Sequence, residues 1–299
     1  MRVAVTGANG LLGGAAVAQL AGRHDVLAIG RGACRLPGGA FTWADADLGD
    51  GRSVEAALLD YRAEAVLHAG ALTDVDGCER EPEAAWRINV GGTEQVARAC
   101  RALGARLVAI STDYVFDGEA GPYSEEDVPN PRGAYARSKR CGEEAALLLA
   151  SDCAVARVAV VYSGRPGAKS TFATQVVEKL TRGEVVKAFS DQIVSPTLAE
   201  NGAAMTLELL LQHDSGGVFH TAGATALDRV DFAHRVAARF GLTGEIVPVR
   251  TADVKLLAPR PLRSGLRVER ARALLREQPL AIEAALELFH RQWSARSAQ

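Results

Sequence analysis

Arg2-Val3-Ala4-Val5-Thr6-Gly7-Ala8-Asn9-Gly10-Leu11-Leu12-Gly13 is the stretch that decides how this chain folds. A short apolar run enters a glycine, as a buried parallel strand does. An alanine-rich helical stretch follows, to about Leu20. Gly7, Gly10 and Gly13 thus form G-x-x-G-x-x-G at the first strand–helix junction. Glycines there permit a tight turn and a close backbone approach to a pyrophosphate, which sits at the positive end of the helix. The pattern predicts a dinucleotide site built on this loop.

The rest of the chain repeats the rhythm. Strands are predicted at 25–31, 41–44, 64–68, 106–110 and 154–162, with helices between them, including a long one over 83–103 and another at about 135–150. Ser53 reads as the N-cap of the helix after the third strand. Strand–helix alternation predicts an α/β fold, a Rossmann-type doubly wound parallel sheet. Beyond residue 162 the rhythm loosens. Residues 1–162 therefore read mainly as a dinucleotide-binding domain. Residues 163–299 read mainly as a small C-terminal substrate-binding lobe, with some segments returning to the first part.

Composition bounds the function. The 299 residues are 48% hydrophobic and 23% charged, ordinary globular usage. Net charge is −2 with basic residues scattered, which speaks against a nucleic-acid polymer or a membrane surface as partner. Cys34, Cys78, Cys100, Cys141 and Cys153 show neither C-x-x-C nor metal spacing. They read as free thiols of a cytoplasmic protein, and no metal is expected.

Several positions carry candidate chemistry. NAD sites usually place an acidic residue after the second strand to bond the ribose hydroxyls. Gly30-Arg31 stands there instead, and a guanidinium suits a phosphate, so NADPH is expected over NADH. Asp47 is suited to accept from an adenine amino group, and Leu48 to pack on the ring. The small residues Ala69, Gly70 and Ala71 would let a cofactor lie across the fourth strand's end. His68 reads as a packing residue and Asn89 as a backbone anchor. Tyr135 and Lys139 are four apart, so on a helix they share a face. A phenol beside an ammonium is a tuned proton donor, because positive charge favours the phenolate. The plain alternative is a Tyr and a Lys on a solvated helix face.

Five stretches together resemble one family: VTGANGLLG (5–13), STDYVFDG (111–118), YARSK with Gly142-Glu143 (135–143), SDQIVSPT (190–197) and PRPLRSGL (259–266). They resemble the extended short-chain dehydrogenase/reductases, in the dTDP-4-dehydrorhamnose reductase (RmlD-like) branch. The resemblance implies NADPH-dependent reduction of a nucleotide-linked 4-keto-6-deoxy sugar. It implies Thr112, Tyr135 and Lys139 as the catalytic set, with Thr112 and Tyr135 also touching substrate. Gly7, Asn9, Gly10, Leu11, Leu12 and Gly13 match the phosphate loop, and Asp47 and Leu48 the adenine contact. Tyr114 and Gln192 match positions near the sugar.

The chain departs from the family twice. Val160 stands for a tryptophan of the sugar pocket, and Arg263 for an asparagine. A valine offers no flat face for stacking, so a sugar other than that of the rhamnose enzyme is compatible with the motifs. A homodimer is compatible too. Two other functions share the motifs. A sugar-nucleotide epimerase or dehydratase is one, although dehydratases carry Asp-Glu where this chain has Asp113-Tyr114. The other is a non-catalytic NADP-binding regulatory subunit of the methionine adenosyltransferase type.

Overall fold

The structure is a computed structural model and describes residues 1–212 and 214–296. Six strands of the first half are β1 (Arg2–Thr6), β2 (Asp25–Gly30), β3 (Thr42–Asp45), β4 (Ala65–His68), β5 (Arg106–Thr112) and β6 (Cys153–Val158). A later strand, β7 (Gly217–His220), joins them. They form a seven-stranded sheet in the order β7-β6-β5-β4-β1-β2-β3, with every pairing parallel. Strand order reverses between β1 and β4, so a crevice opens at their carboxyl ends, where ligands bind in doubly wound sheets. The expected α/β Rossmann-type architecture is borne out.

Both faces of this sheet are covered, which is why its strands are almost wholly apolar. Helix α1 (Leu11–Leu20) and the helix Ala199–Gln212 cover one face, packing Val3, Val5, Ala28, Leu67, Val108, Ala156 and Phe219 into one core. Gly51–Tyr61, Gly92–Leu103 and Ala134–Leu149 cover the other, over Ala4, Leu27, Val66, Leu107 and Val155. A separate core gathers Tyr162, Val176, Leu180, Phe232, Val236, Leu286 and Phe289 from the later chain. The short parallel pair Val186–Phe189 and Ile246–Val249 flanks it.

Three local expectations are corrected. The helix expected over 83–103 is broken: Pro82–Trp86 leads into a π-helical turn, Arg87–Gly91, before Gly92–Leu103. Such turns mark places where tertiary bonds outweigh regular helix geometry. Here Asn89 sits in the turn, accepts from Leu72 N at 2.8 Å, and donates to Leu72 O at 3.1 Å and Ser138 Oγ at 2.9 Å. It is the backbone anchor its sequence position suggested. Second, Ser53 does not cap its helix: Asp50 is the cap residue, and Ser53 Oγ donates to Asp50 O at 2.9 Å. Third, the strand expected over 154–162 ends at Val158. Val160 has φ 42°, a left-handed conformation that is unfavourable for a β-branched residue. Thr197 holds the strained turn, donating from Oγ1 to Ala159 O at 2.7 Å and from its backbone N to Val160 O at 3.3 Å. Val161–Tyr162 then leaves the main sheet to pair with Thr197–Leu198. No described helix is long and apolar enough to cross a membrane.

Candidate active site

The dinucleotide loop is built by close approach. Gly7 has φ 66°, and a Cβ on it would lie 2.6 Å from Gly70 Cα. A Cβ on Gly13 would lie 2.4 Å from Gly7 O. Neither position accepts a side chain, so the loop lies tight against the end of β4. Gly10 is the N-cap residue of α1, with no side-chain cap bond, and Leu11 and Leu12 open the helix. The free N–H groups of such a first turn fit a pyrophosphate. Asn9 turns away to brace the loop after β2: Nδ2 donates to Ala33 O at 3.0 Å, and Oδ1 accepts from Arg35 N at 2.9 Å. Arg31 is exposed, with its guanidinium 3.7 Å from the Asp47 carboxylate. Leu48 packs over Gly70 and Gly92, at the edge of the Ala69-Gly70-Ala71 segment. The glycine cradle, the open first turn and Arg31 fit a nicotinamide dinucleotide, in donor type and in space.

His68 lies beneath this cradle, wholly buried. Its ring is 2.7 Å from Thr6 Oγ1 and 3.0 Å from Thr93 Oγ1, and burial pushes its pKa down to about 3. It is neutral and structural.

Thr112 ends β5, and Tyr135 and Lys139 face it from the helix Ala134–Leu149; all three are buried. Gly133 precedes this helix, and Glu79 accepts from Ala134 N at 2.5 Å, which fixes where the helix begins. Burial raises the Tyr135 phenol above its ordinary value; a hydrogen bond with Thr112 opposes this, while Asp113 and Tyr114 reinforce it. Lys139 Nζ donates to Ile110 O at 2.8 Å. Burial lowers the Lys139 pKa to about 8, against the pull of Glu143 one turn further on. In this arrangement burial dominates the phenol, and the ammonium is spent on a carbonyl of β5. Tyr114 lies edge-on to Tyr135, with ring centroids 5.8 Å apart.

Beneath this set runs a buried ion pair. Arg157 on β6 grips Glu143 with two bonds, Nε to Oε1 at 2.7 Å and Nη2 to Oε2 at 2.8 Å. Burial favours the neutral acid, but the bonds from Arg157, with those from Ser111 and Arg140, outweigh it and hold Glu143 below its ordinary value.

A family model described as RmlD substrate binding domain matches residues 1–294. The chain belongs to this RmlD family. The resemblance drawn from the motifs is thereby borne out over nearly the whole length. The RmlD-family chain is 36% identical over 270-odd residues to the dTDP-4-dehydrorhamnose reductase of Mycobacterium tuberculosis, covering 89% of this chain and 84% of the relative. It is 29% identical to the methionine adenosyltransferase 2 subunit beta of Rattus norvegicus, covering 89% and 80%. Among solved structures it matches the dTDP-4-dehydrorhamnose reductase of Bacillus anthracis in complex with NADP, with TM-score 0.87 and 27% identity, covering 97% of this chain and 99% of that one.

Two residues close to this candidate site escaped the sequence reading. Asp113 is buried beside Thr112 and bonds Ser264 Oγ from the 259–266 segment. Arg229 begins the helix Arg229–Arg239. Its Nε donates to Gln192 Oε1 at 2.9 Å, and its guanidinium lies 5.6 Å from the centroid of the Phe172 ring. Gln192 is accordingly held at both ends, its Nε2 donating to Thr251 Oγ1 at 3.0 Å. Arg229, Tyr114 and Asp113 are close enough to perturb one another. A separate concavity lined by Gln19, Arg23, His24 and Gln212 lies near the far end of α1, away from the strand carboxyl ends and from this chemistry.

Proposed function

We propose that this protein reduces the ketone of a nucleotide-linked 4-keto-6-deoxy sugar, with NADPH as reductant. The observation that carries the reading is the burial of Thr112, Tyr135 and Lys139 together at the end of β5, on the crevice that the glycine cradle opens. A bound nicotinamide supplies the hydride. The chain's own groups manage the charge that this creates on the ketone oxygen. Tyr135 donates its phenolic proton to that oxygen as general acid. Thr112 donates a hydrogen bond to the same oxygen and holds it in line. Lys139 would hold the nicotinamide ribose, and its positive charge favours the phenolate that remains once the proton has left.

The lobe of the later chain receives the nucleotide sugar in this reading. Tyr114, Gln192 and Arg229 face it from three elements. Val160 leaves the sugar face without a stacking ring, which favours a sugar other than the rhamnose precursor. A regulatory binding role is the weaker reading, since binding alone does not call for a buried phenol paired with a threonine hydroxyl.

The direct test is a panel of dTDP- and UDP-linked 4-keto-6-deoxy sugars with NADPH or NADH, followed by loss of reduced-nicotinamide absorbance and identification of product. Turnover of at least one member is expected. No oxidation with any member, together with stoichiometric capture of a methionine adenosyltransferase, would reverse the assignment.

Arg31 sets the cofactor preference in this proposal. Arg31→Ala should raise the KM for NADPH roughly tenfold, the loss of one exposed guanidinium–phosphate contact, about 1.4 kcal/mol. The KM for NADH should stay nearly unchanged. Equal effects on both cofactors would remove Arg31 from the phosphate site.

A further inference from the structure

The mechanism above makes no use of Asp113, although this carboxyl is hydrogen-bonded to the Thr112 hydroxyl. Asp113 is 2% exposed. Its Oδ1 lies 3.1 Å from Thr112 Oγ1, and its Oδ2 accepts from Ser264 Oγ at 2.5 Å. Tyr114 N donates to Thr112 Oγ1 at 3.2 Å. Ser264 N in turn donates to Ile193 O at 2.9 Å, so the contact ties the end of β5 to the 190–197 segment.

A threonine hydroxyl has one proton to give. When Asp113 is a carboxylate, that proton is drawn to Oδ1, and Thr112 has none for a substrate oxygen. When Asp113 is the neutral acid, it can donate to Thr112 Oγ1. The threonine proton is then released toward the oxygen that Tyr135 serves. A neutral acid also spares the developing alkoxide a negative neighbour in a buried site.

We infer that Asp113 is a positioning residue for Thr112, braced from the 259–266 segment by Ser264, and that its neutral form is the productive one. The inference rests on the reading of Thr112 as a donor to the ketone oxygen. The groups facing Asp113 are Arg229 from the later chain, Tyr135 from the catalytic helix and Tyr114 beside it. The two phenols are raised by burial and stay neutral. Burial pushes Asp113 up to about 6, while Ser264, Thr112 and Arg229 favour its charged form.

The experiment is the pH profile of kcat with saturating NADPH and a reducible keto-sugar, for wild type, Asp113→Asn and Ser264→Ala. Wild-type kcat should fall about tenfold as pH rises through the Asp113 ionisation, a step separate from the loss of Lys139 charge at higher pH. Asp113→Asn carries a permanent amide donor, so its profile should lose that step and stay flat. Ser264→Ala removes a bond that favours the carboxylate, so the step should move alkaline by about one pH unit. A uniform drop in kcat with the step unmoved in both variants is what a structural role predicts, and it overturns the inference while leaving the proposed reduction standing. The carboxyl titration of Asp113, read by carbon NMR in wild type and Ser264→Ala, needs no turnover. A midpoint in the ordinary carboxylate range, unmoved by Ser264→Ala, overturns the inference whatever the substrate. Failure of every keto-sugar to react overturns the proposed function instead.

Discussion

Tyr135→Phe should lower kcat by roughly 100- to 10,000-fold, the usual contribution of a positioned general acid, while NADPH binding should stay close to wild type. The size follows from what the substitution removes. The Tyr135 ring is buried against Cys78, Ala85 and Tyr114, and phenylalanine keeps that packing. Only the hydroxyl goes, and with it the proton that the proposed alkoxide would take. Thr112 remains, so in the proposed reaction the charge would still be partly stabilised and a residual rate should survive. Steady-state kinetics alongside a fluorescence titration of NADPH checks both halves. A kcat within a factor of about three of wild type would remove Tyr135 from the reaction.

The largest effect on stability is expected at Arg157. Arg157→Ala should cost about 3–5 kcal/mol, measured by urea unfolding, because it leaves the buried Glu143 carboxylate without its two-bond cationic partner. Arg140 Nη1 reaches Glu143 Oε2 at 2.9 Å but is itself partly exposed. Arg157 also lies 5.0 Å from the centroid of the Phe116 ring, so its aliphatic and stacking contacts are lost too. The double variant Arg157→Leu with Glu143→Leu separates the two terms. It removes both charges, so it should recover most of the lost stability if the uncompensated carboxylate is the cause. No recovery would place the cost in packing alone. Glu143 follows Lys139 by one helical turn, so the same ion pair anchors the helix that carries Tyr135.

What could be read from sequence was local. The β1–α1 junction declares itself because strand, glycines and helix lie within a dozen residues, and each glycine has a steric reason to be there. Tyr135 and Lys139 declare themselves through helical spacing, and Asn89 through a polar side chain placed inside a helical stretch. The parts that were missed depend on partners far along the chain. The π-helical turn at 87–91 exists because Asn89 reaches Leu72 and Ser138. The break after Val158 depends on Thr197, which pulls Ala159 and Val160 out of the sheet. Asp113 acquires its meaning from Ser264, 151 residues later, and Arg229 from Gln192, 37 residues earlier. A one-dimensional pattern also gives the wrong weight to charge: spacing pointed to the ammonium as the main influence on Tyr135, whereas burial dominates in the folded protein and Lys139 bonds Ile110.

Hydride transfer to a sugar ketone held against Tyr135 is the central step of the proposed reaction. It is tested most directly with NADPH deuterated at the transferable position of the nicotinamide and a dTDP-linked 4-keto-6-deoxy sugar that the panel shows to react. Mass and NMR spectra of the product should show one deuterium on carbon 4, and Tyr135→Phe should form that product far more slowly. Product without deuterium at carbon 4, or deuterium arriving equally fast in Tyr135→Phe, would contradict it.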